Sequence, residues 1–179
     1  MVLDDLAANC TIFTLTHSNF LGSLLSPNGS HGQKDLFMKP FLVDVLGISR
    51  SIVDHKLWVV EKEKENIDIK IINNTLDVGI FIENKIYTDA HSGQLSRYFK
   101  LWKSRYRKGV FVYLTINGSK PSILGYDDTI YPREAIEKEL ILLSYKYDIF
   151  YWLKNIFPAV RSEKVQHTIA QYLDILRIL

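Results

Sequence analysis

At 179 residues, 47% of them hydrophobic and 23% charged, the chain has room for one domain with a sizeable core and has the composition of an ordinary soluble globular protein. A net charge of +2 argues neither for nor against a nucleic-acid partner, and the single cysteine, Cys10, excludes an internal disulfide framework and fits a reducing cytoplasm. No apolar run approaches the ~20 residues of a membrane span, and Met1 to Asp5 is acidic where an export signal would be basic.

In chain order, Phe20, Leu21, Leu24 and Leu25 have helical spacing, and Ser26-Pro-Asn-Gly29 stops that helix. A second helix is expected from about Lys34 to Leu46, with Pro40 either kinking it or marking its true start. Three strands follow: Lys56 to Glu61, Asn66 to Ile72 and Val78 to Ile86, the last two joined by the turn formers Asn73-Asn-Thr-Leu-Asp77. Leu95, Tyr98, Phe99, Trp102 and Tyr106 then mark an amphipathic helix over about 91–107, and Val110 to Ile116 reads as a buried strand. A helix joining two strands implies a right-handed crossover and a parallel pair. Pro132 suits the first turn of a short helix. Glu139 to Ser144 reads equally as the end of that helix or as a fifth strand, Asp148 to Phe157 as a helix, and Val165 to Leu179 as a terminal amphipathic helix. The result is an α/β architecture, a central mixed sheet covered by helices. One domain spans 1–179, with N-terminal helices in 1–50, a catalytic sheet and helix in 56–116, and C-terminal helices in 132–179. The terminal helix has no capping signal before Leu179, which leaves room for a further domain or partner beyond it.

The chemistry concentrates in the second and third strands. If Asn73 pairs with Val78 across the turn, the register sets Asp68 opposite Glu83, and alternation puts Asp68, Glu83 and Lys85 on one face. Opposed carboxylates repel unless a positive charge lies between them. A divalent metal and the Lys85 ammonium would supply it, with the main-chain carbonyl of Asn84 as a further oxygen ligand. Such a site can position water, polarise a phosphate and offset its charge, which is what phosphodiester hydrolysis requires. Glu61 and Glu63 on the first strand are candidate further ligands or supports. Taken alone, Glu-x-Lys more often marks a solvated strand face. Here its neighbours Ile80, Phe81, Ile82 and Ile86 mark an inner strand whose charges need partners. The register brings in Asp68 independently, and Gln94 opens the next helix close by. That helix carries Arg97, Lys100, Lys103, Arg105, Arg107 and Lys108 with no acid between Gly93 and Gly109. Most such runs are solvated faces, but one lacking compensating acids suits a polyanion such as a nucleic-acid backbone.

Ile67-Asp68-Ile69, Ile80-Phe-Ile-Glu-Asn-Lys-Ile-Tyr87 and Gln94-Leu-Ser-Arg-Tyr98 resemble the PD-(D/E)xK nuclease superfamily, in particular a bacterial nuclease-like branch. His17 to Leu25, Pro27 to Gly32, Asp35 to Phe37, Tyr113 to Thr115, Ser144-Tyr145, Trp152-Leu153 and Gln171-Tyr172 extend the likeness over nearly the whole chain. The resemblance implies a restriction-endonuclease-like αβββαβ core. It puts the motif aspartate at Asp68, the acidic position at Glu83 and the motif lysine at Lys85, with Gln94 and Tyr98 as a glutamine-tyrosine element that contacts substrate or supports the site. Ile67 replaces the motif proline. Many relatives also carry a metal-binding glutamate in the first core helix, whereas His17 to Leu25 holds no acid and only Asp35 and Asp44 follow it. His17 and His31 fit no metal-ligand spacing and are expected to cap or pack, His17 with a supporting role left open.

The expectation is a Mg²⁺-dependent nuclease, with Mn²⁺ a substitute, favouring DNA over RNA, cytoplasmic, and of a kind common in bacterial defence and mobile elements. Homodimers are frequent in the superfamily. An RNA nuclease with the same site and a non-cleaving module that binds nucleic acid or a protein are the competing readings.

Overall fold

The computed structural model describes residues 16–179, so Cys10 and the acidic opening lie outside the described residues. Residues 16–25 form helix α1. Five strands follow: β1 (Val59–Lys64), β2 (Ile67–Asn73), β3 (Val78–Lys85), β4 (Lys108–Thr115) and β5 (Leu140–Ser144). They form one sheet in chain order, antiparallel from β1 to β3 and parallel from β3 to β5. Helix α4 (Gln94–Arg105) makes the crossover that turns the sheet parallel. The expected α/β fold, a mixed sheet flanked by helices, is present.

Period-2 alternation divides the core in two. Ile69, Ile71, Ile80, Ile82, Val112 and Leu114 face the N- and C-terminal helices. Phe81, Phe111 and Tyr113 face α4, which covers them with Leu95, Tyr98, Phe99 and Trp102. Burial of each large apolar side chain contributes roughly 1.5–3 kcal/mol. With a layer on each face, all eight residues of β3 are buried, Glu83 and Lys85 included.

Both hairpin turns have a local cause. Asn73 pairs with Val78 as the turn composition predicts, and the Asn73 carboxamide accepts the Leu76 N–H at 3.2 Å and donates to the Lys56 carbonyl at 3.0 Å. Lys64 pairs with Ile67 around Glu65 and Asn66, whose φ of 59° and 62° are those of a type I′ turn. At the start of β3 the strands touch through glycine: a Cβ on Gly109 would lie 1.8 Å from the Gly79 carbonyl oxygen.

Several boundaries differ from the sequence expectation. The first strand begins at Val59, not Lys56, because Leu57 adopts φ 72° and the Trp58 indole turns back to the Val53 carbonyl at 3.2 Å. The helix expected over 34–46 reduces to a short α2 (Met38–Pro40) that widens into a π turn over Phe41–Val45; Pro40, which has no N–H to give to the ladder, ends the regular stretch. Another short helix, α3 (Arg50–Val53), precedes the sheet. Around residue 139 both readings hold in turn: α5 (Arg133–Glu139) ends where β5 begins. The next helix starts earlier than expected, as a π turn over Tyr145–Ile149 continuing into α6 (Phe150–Ile156). The Ser144 hydroxyl accepts the Tyr147 and Asp148 N–H groups, and the Asp148 carboxylate accepts from Ser144, a reciprocal cap. Finally α7 (Glu163–Ile178) packs Ile169, Tyr172, Leu173 and Leu176 into the core. Among the described residues no helix is long and apolar enough to cross a membrane.

Candidate active site

Phe81 faces α4, so Glu83 and Lys85, two and four residues on, face the same way. The β2–β3 ladder runs from Asn73–Val78 to Ile69–Ile82, and the next position places Asp68 opposite Glu83. There the strands stop exchanging main-chain bonds. The Asp68 carboxylate takes the place of a ladder carbonyl and accepts the Asn84 N–H at 2.6 Å. A strand end that swaps backbone for carboxylate leaves two acids and the Asn84 main chain at one point.

Glu83 is 2% exposed. Its Oε1 lies 3.0 Å from the Lys85 Nζ and accepts the Gln94 amide N–H at 2.8 Å. Its Oε2 is buried with no hydrogen-bond partner. Burial pushes the carboxyl up to about 8; the charge of Asp68 adds to the shift, and Lys85 opposes it without cancelling it. Burial also raises Asp68, against the pull of the Asn84 N–H and Lys85. A buried carboxylate oxygen without a donor, beside a second carboxyl, matches the hard oxygen ligands a divalent cation takes. Among the described residues no three His, Cys, Asp or Glu side chains gather into a metal-holding group. An ion here would therefore rest on Asp68, Glu83, the Asn84 carbonyl and water.

The other residues singled out by sequence fall into distinct places. Gln94 is 7% exposed and faces inward: its carbonyl accepts the His91 N–H at 3.0 Å, and its amide donates to Glu83 and, at 3.0 Å, to the Tyr98 hydroxyl. Tyr98 in turn donates to the Asn66 carbonyl at 2.6 Å. The pair thus holds Glu83 and ties α4 to the β1–β2 turn. Glu61 shares the face of the acids but sits opposite Lys70, two residues along β2 from Asp68, and is gripped by Lys64 at 2.5 Å and by the buried Lys70 at 3.1 Å. Glu63 sits between the pairs Lys62–Ile69 and Lys64–Ile67, hence in one row with Asp68 and Glu83. It is exposed as a residue, yet its carboxyl is pushed up, by desolvation first and by the Asp68 charge second. Asp35 pairs with Lys39 at 3.0 Å, and Asp44 lines a groove with Tyr147 and Trp152; neither joins the site.

His17 lies on the opposite face, buried, its Nδ1 2.6 Å from the Tyr172 hydroxyl and its ring edge-on to Tyr145. His31 takes the packing role expected of it, with Nε2 3.0 Å from the Ser26 carbonyl and Nδ1 accepting the Gln33 N–H. Sequence reasoning missed Ser18, whose hydroxyl accepts the Asn84 side-chain amide at 2.9 Å and fixes β3 from behind. A lone polar residue inside an otherwise apolar helix face was its only signal.

The basic face of α4, expected from sequence to be uncompensated, is largely paired. The acids are absent from the helix but arrive from elsewhere: Lys103 meets Glu139 at 2.5 Å, Arg105 meets Glu65 at 2.6 Å and Arg107 meets Asp77 at 3.3 Å. Lys108 pairs with Val78, at the far end of an eight-residue strand from Lys85, roughly 23 Å away at ~3.3 Å per residue. Arg97 donates to the Ser92 carbonyl at 2.8 Å and lies within electrostatic reach of Asp127; of the α4 cations it and Lys100 form no ion pair among the described residues.

Comparison with curated proteins and with solved structures gave no match. The family model of the PD-(D/E)XK nuclease superfamily matches residues 6–174. With that match across nearly the whole chain, and with its sheet order and strand-end carboxyls in place, the chain belongs to the PD-(D/E)XK nuclease superfamily.

Proposed function

We propose that the protein is a divalent-metal-dependent nuclease that hydrolyses phosphodiester bonds in DNA, with Mg²⁺ as the working ion and Mn²⁺ as a substitute. The observation that carries this reading is the unpartnered, buried Oε2 of Glu83 beside Asp68. Asp68, Glu83 and the Asn84 main-chain carbonyl would hold the ion. When bound, it would supply Lewis-acid polarisation of the phosphate and a more acidic water.

The chain's own groups do the rest. Gln94 donates to Glu83 in either protonation state and fixes the carboxyl's rotamer. Lys85, nine-tenths buried and held by Glu83, brings a cation to the phosphoryl oxygens and orients the attacking water. Arg97 and Lys100 are the α4 residues placed to meet the flanking backbone.

The test is incubation of plasmid, linear DNA and RNA with Mg²⁺, Mn²⁺ or EDTA. Metal-dependent cleavage of DNA that falls by at least ~100-fold in Lys85→Ala and Glu83→Ala is the expected outcome. Cleavage that survives either substitution removes the catalytic assignment. Cleavage of RNA alone moves the substrate, and salt-sensitive binding without cleavage points to a non-cleaving module.

A further inference from the structure

A phosphodiester backbone needs cations beside the reacting group, and most of the α4 stripe is engaged with acids or lies at the wrong end of the sheet. The surface that does open beside Lys85 is a groove at the carboxyl ends of β3 and β4, the edge at which open α/β sheets take ligands. We propose that this groove is a phosphate subsite for the nucleic-acid strand, with Lys120 as its cationic clamp. The proposal rests on the nuclease reading above.

The groove has a volume of about 230 Å³, and its walls include Lys85, Asp89, Tyr113, Thr115, Ser119 and Lys120. Drug-sized ligands occupy roughly 300–1,000 Å³. The smaller space suits a phosphate with its sugar, leaving the base outside and the contact indifferent to sequence.

Charge and rigidity favour an anion there. Asp89 is the one acid in the wall, and its Oδ1 already accepts the Ala90 N–H at 2.7 Å, the Ser122 N–H at 3.1 Å and the Tyr113 hydroxyl at 3.0 Å. Burial alone would raise its pKa, but those donors together hold the carboxyl below the usual range, so its charge faces inward onto them. Lys120 is exposed, and no acid among the described residues pairs with it. Its loop is fixed on three sides: Ser119 N–H donates to the Thr115 hydroxyl at 2.8 Å, Lys146 N–H to the Ile116 carbonyl at 3.1 Å, and Ser122 N–H to Asp89. The lysine is therefore carried on a rigid base and shares a wall with Lys85, so a strand whose phosphate reaches Lys85 passes Lys120.

The experiment compares wild type, Lys120→Ala and Lys120→Arg, using a fluorescent single-stranded oligonucleotide and the matching duplex. Binding is followed by anisotropy in EDTA over a series of salt concentrations, and cleavage is followed with Mg²⁺. In Lys120→Ala the Kd is expected to rise roughly fivefold, the slope of log K against log salt to shrink by about one, and KM to rise with kcat within twofold. Lys120→Arg restores both, and the melting temperature of each variant stays at the wild-type value because the side chain is exposed. An unchanged Kd and salt slope in Lys120→Ala overturns the subsite, even if the wild type cleaves. Lys120-dependent binding without any cleavage leaves the subsite standing and removes the nuclease reading. Wild-type protein that neither binds nor cleaves removes both.

Discussion

Inside a strand buried along its whole length, the carboxyl of Glu83 has to be neutralised by a proton or by a cation, because burial makes the bare anion costly. Without metal its pKa of about 8, against an ordinary 4.5, means that the folded protein keeps a proton the unfolded chain has released anywhere between those values. Stability then falls as pH rises through that window, since the native state binds more protons. In EDTA the melting temperature of the wild type is expected to drop by several degrees from pH 5 to pH 8, and that of Glu83→Gln to drop markedly less. Added Mg²⁺ should restore the pH 8 value in the wild type and not in the variant. Because the neutral His17 pulls the other way over part of this range, the comparison decides: a wild-type melt in EDTA that changes between pH 5 and pH 8 by the same amount as that of Glu83→Gln would show that the carboxyl is not held protonated. The position of this residue was legible in sequence, because Asn73–Val78 pairing fixes the register and alternation fixes the face. Its protonation was not: that depends on α4 lying over it and on Gln94 reaching down from that helix, neither of which a strand pattern encodes.

At the scale of elements, the hairpin and crossover could be read because their causes are local: turn formers, alternation of period two, and a helix between two buried runs. The misread pieces have causes at a distance. The basic face of α4 looked uncompensated because Glu139, Glu65 and Asp77 are 36, 40 and 30 residues from their partners Lys103, Arg105 and Arg107. The I′ turn at Glu65-Asn66 is a separate case: its cause is local, but it lacks the glycine that usually announces one. The β3–β4 pairing carries a clear prediction. Gly109, at φ 142°, approaches the Gly79 main chain so closely that any side chain would push the two strands apart, beneath the Tyr106 ring that already packs against Gly79. Gly109→Ala is expected to cost ~3 kcal/mol or more, read as a lower urea midpoint. Gly118→Ala shares a positive φ (74°), but its new Cβ meets nothing closer than 3.6 Å, so it should cost about 1 kcal/mol. Equal costs for the two would mean that backbone conformation, and not strand contact, sets the requirement at Gly109.

Across the whole molecule, the helices nearest the two ends of the described residues converge on the back of β3, the strand that carries Glu83. Ser18 on α1 holds the side chain of Asn84, and one residue earlier His17 reaches Tyr172 on α7 at 2.6 Å, 155 residues away in sequence. Burial lowers the pKa of His17 to about 4, from an ordinary 6.5, so this latch exists in the neutral form. Between those values the unfolded chain takes up a proton that the folded one refuses. The stability that depends on His17 is therefore complete above pH 6.5 and lost as pH falls toward 4, an amount on the order of 3 kcal/mol. The carboxyls titrate over part of the same range, so the informative quantity is the difference between proteins. His17→Gln, which cannot take up that proton, should lose about 2.5 kcal/mol less than the wild type in urea denaturation between pH 7.5 and pH 4.5. Identical losses would mean that the imidazole is not held neutral.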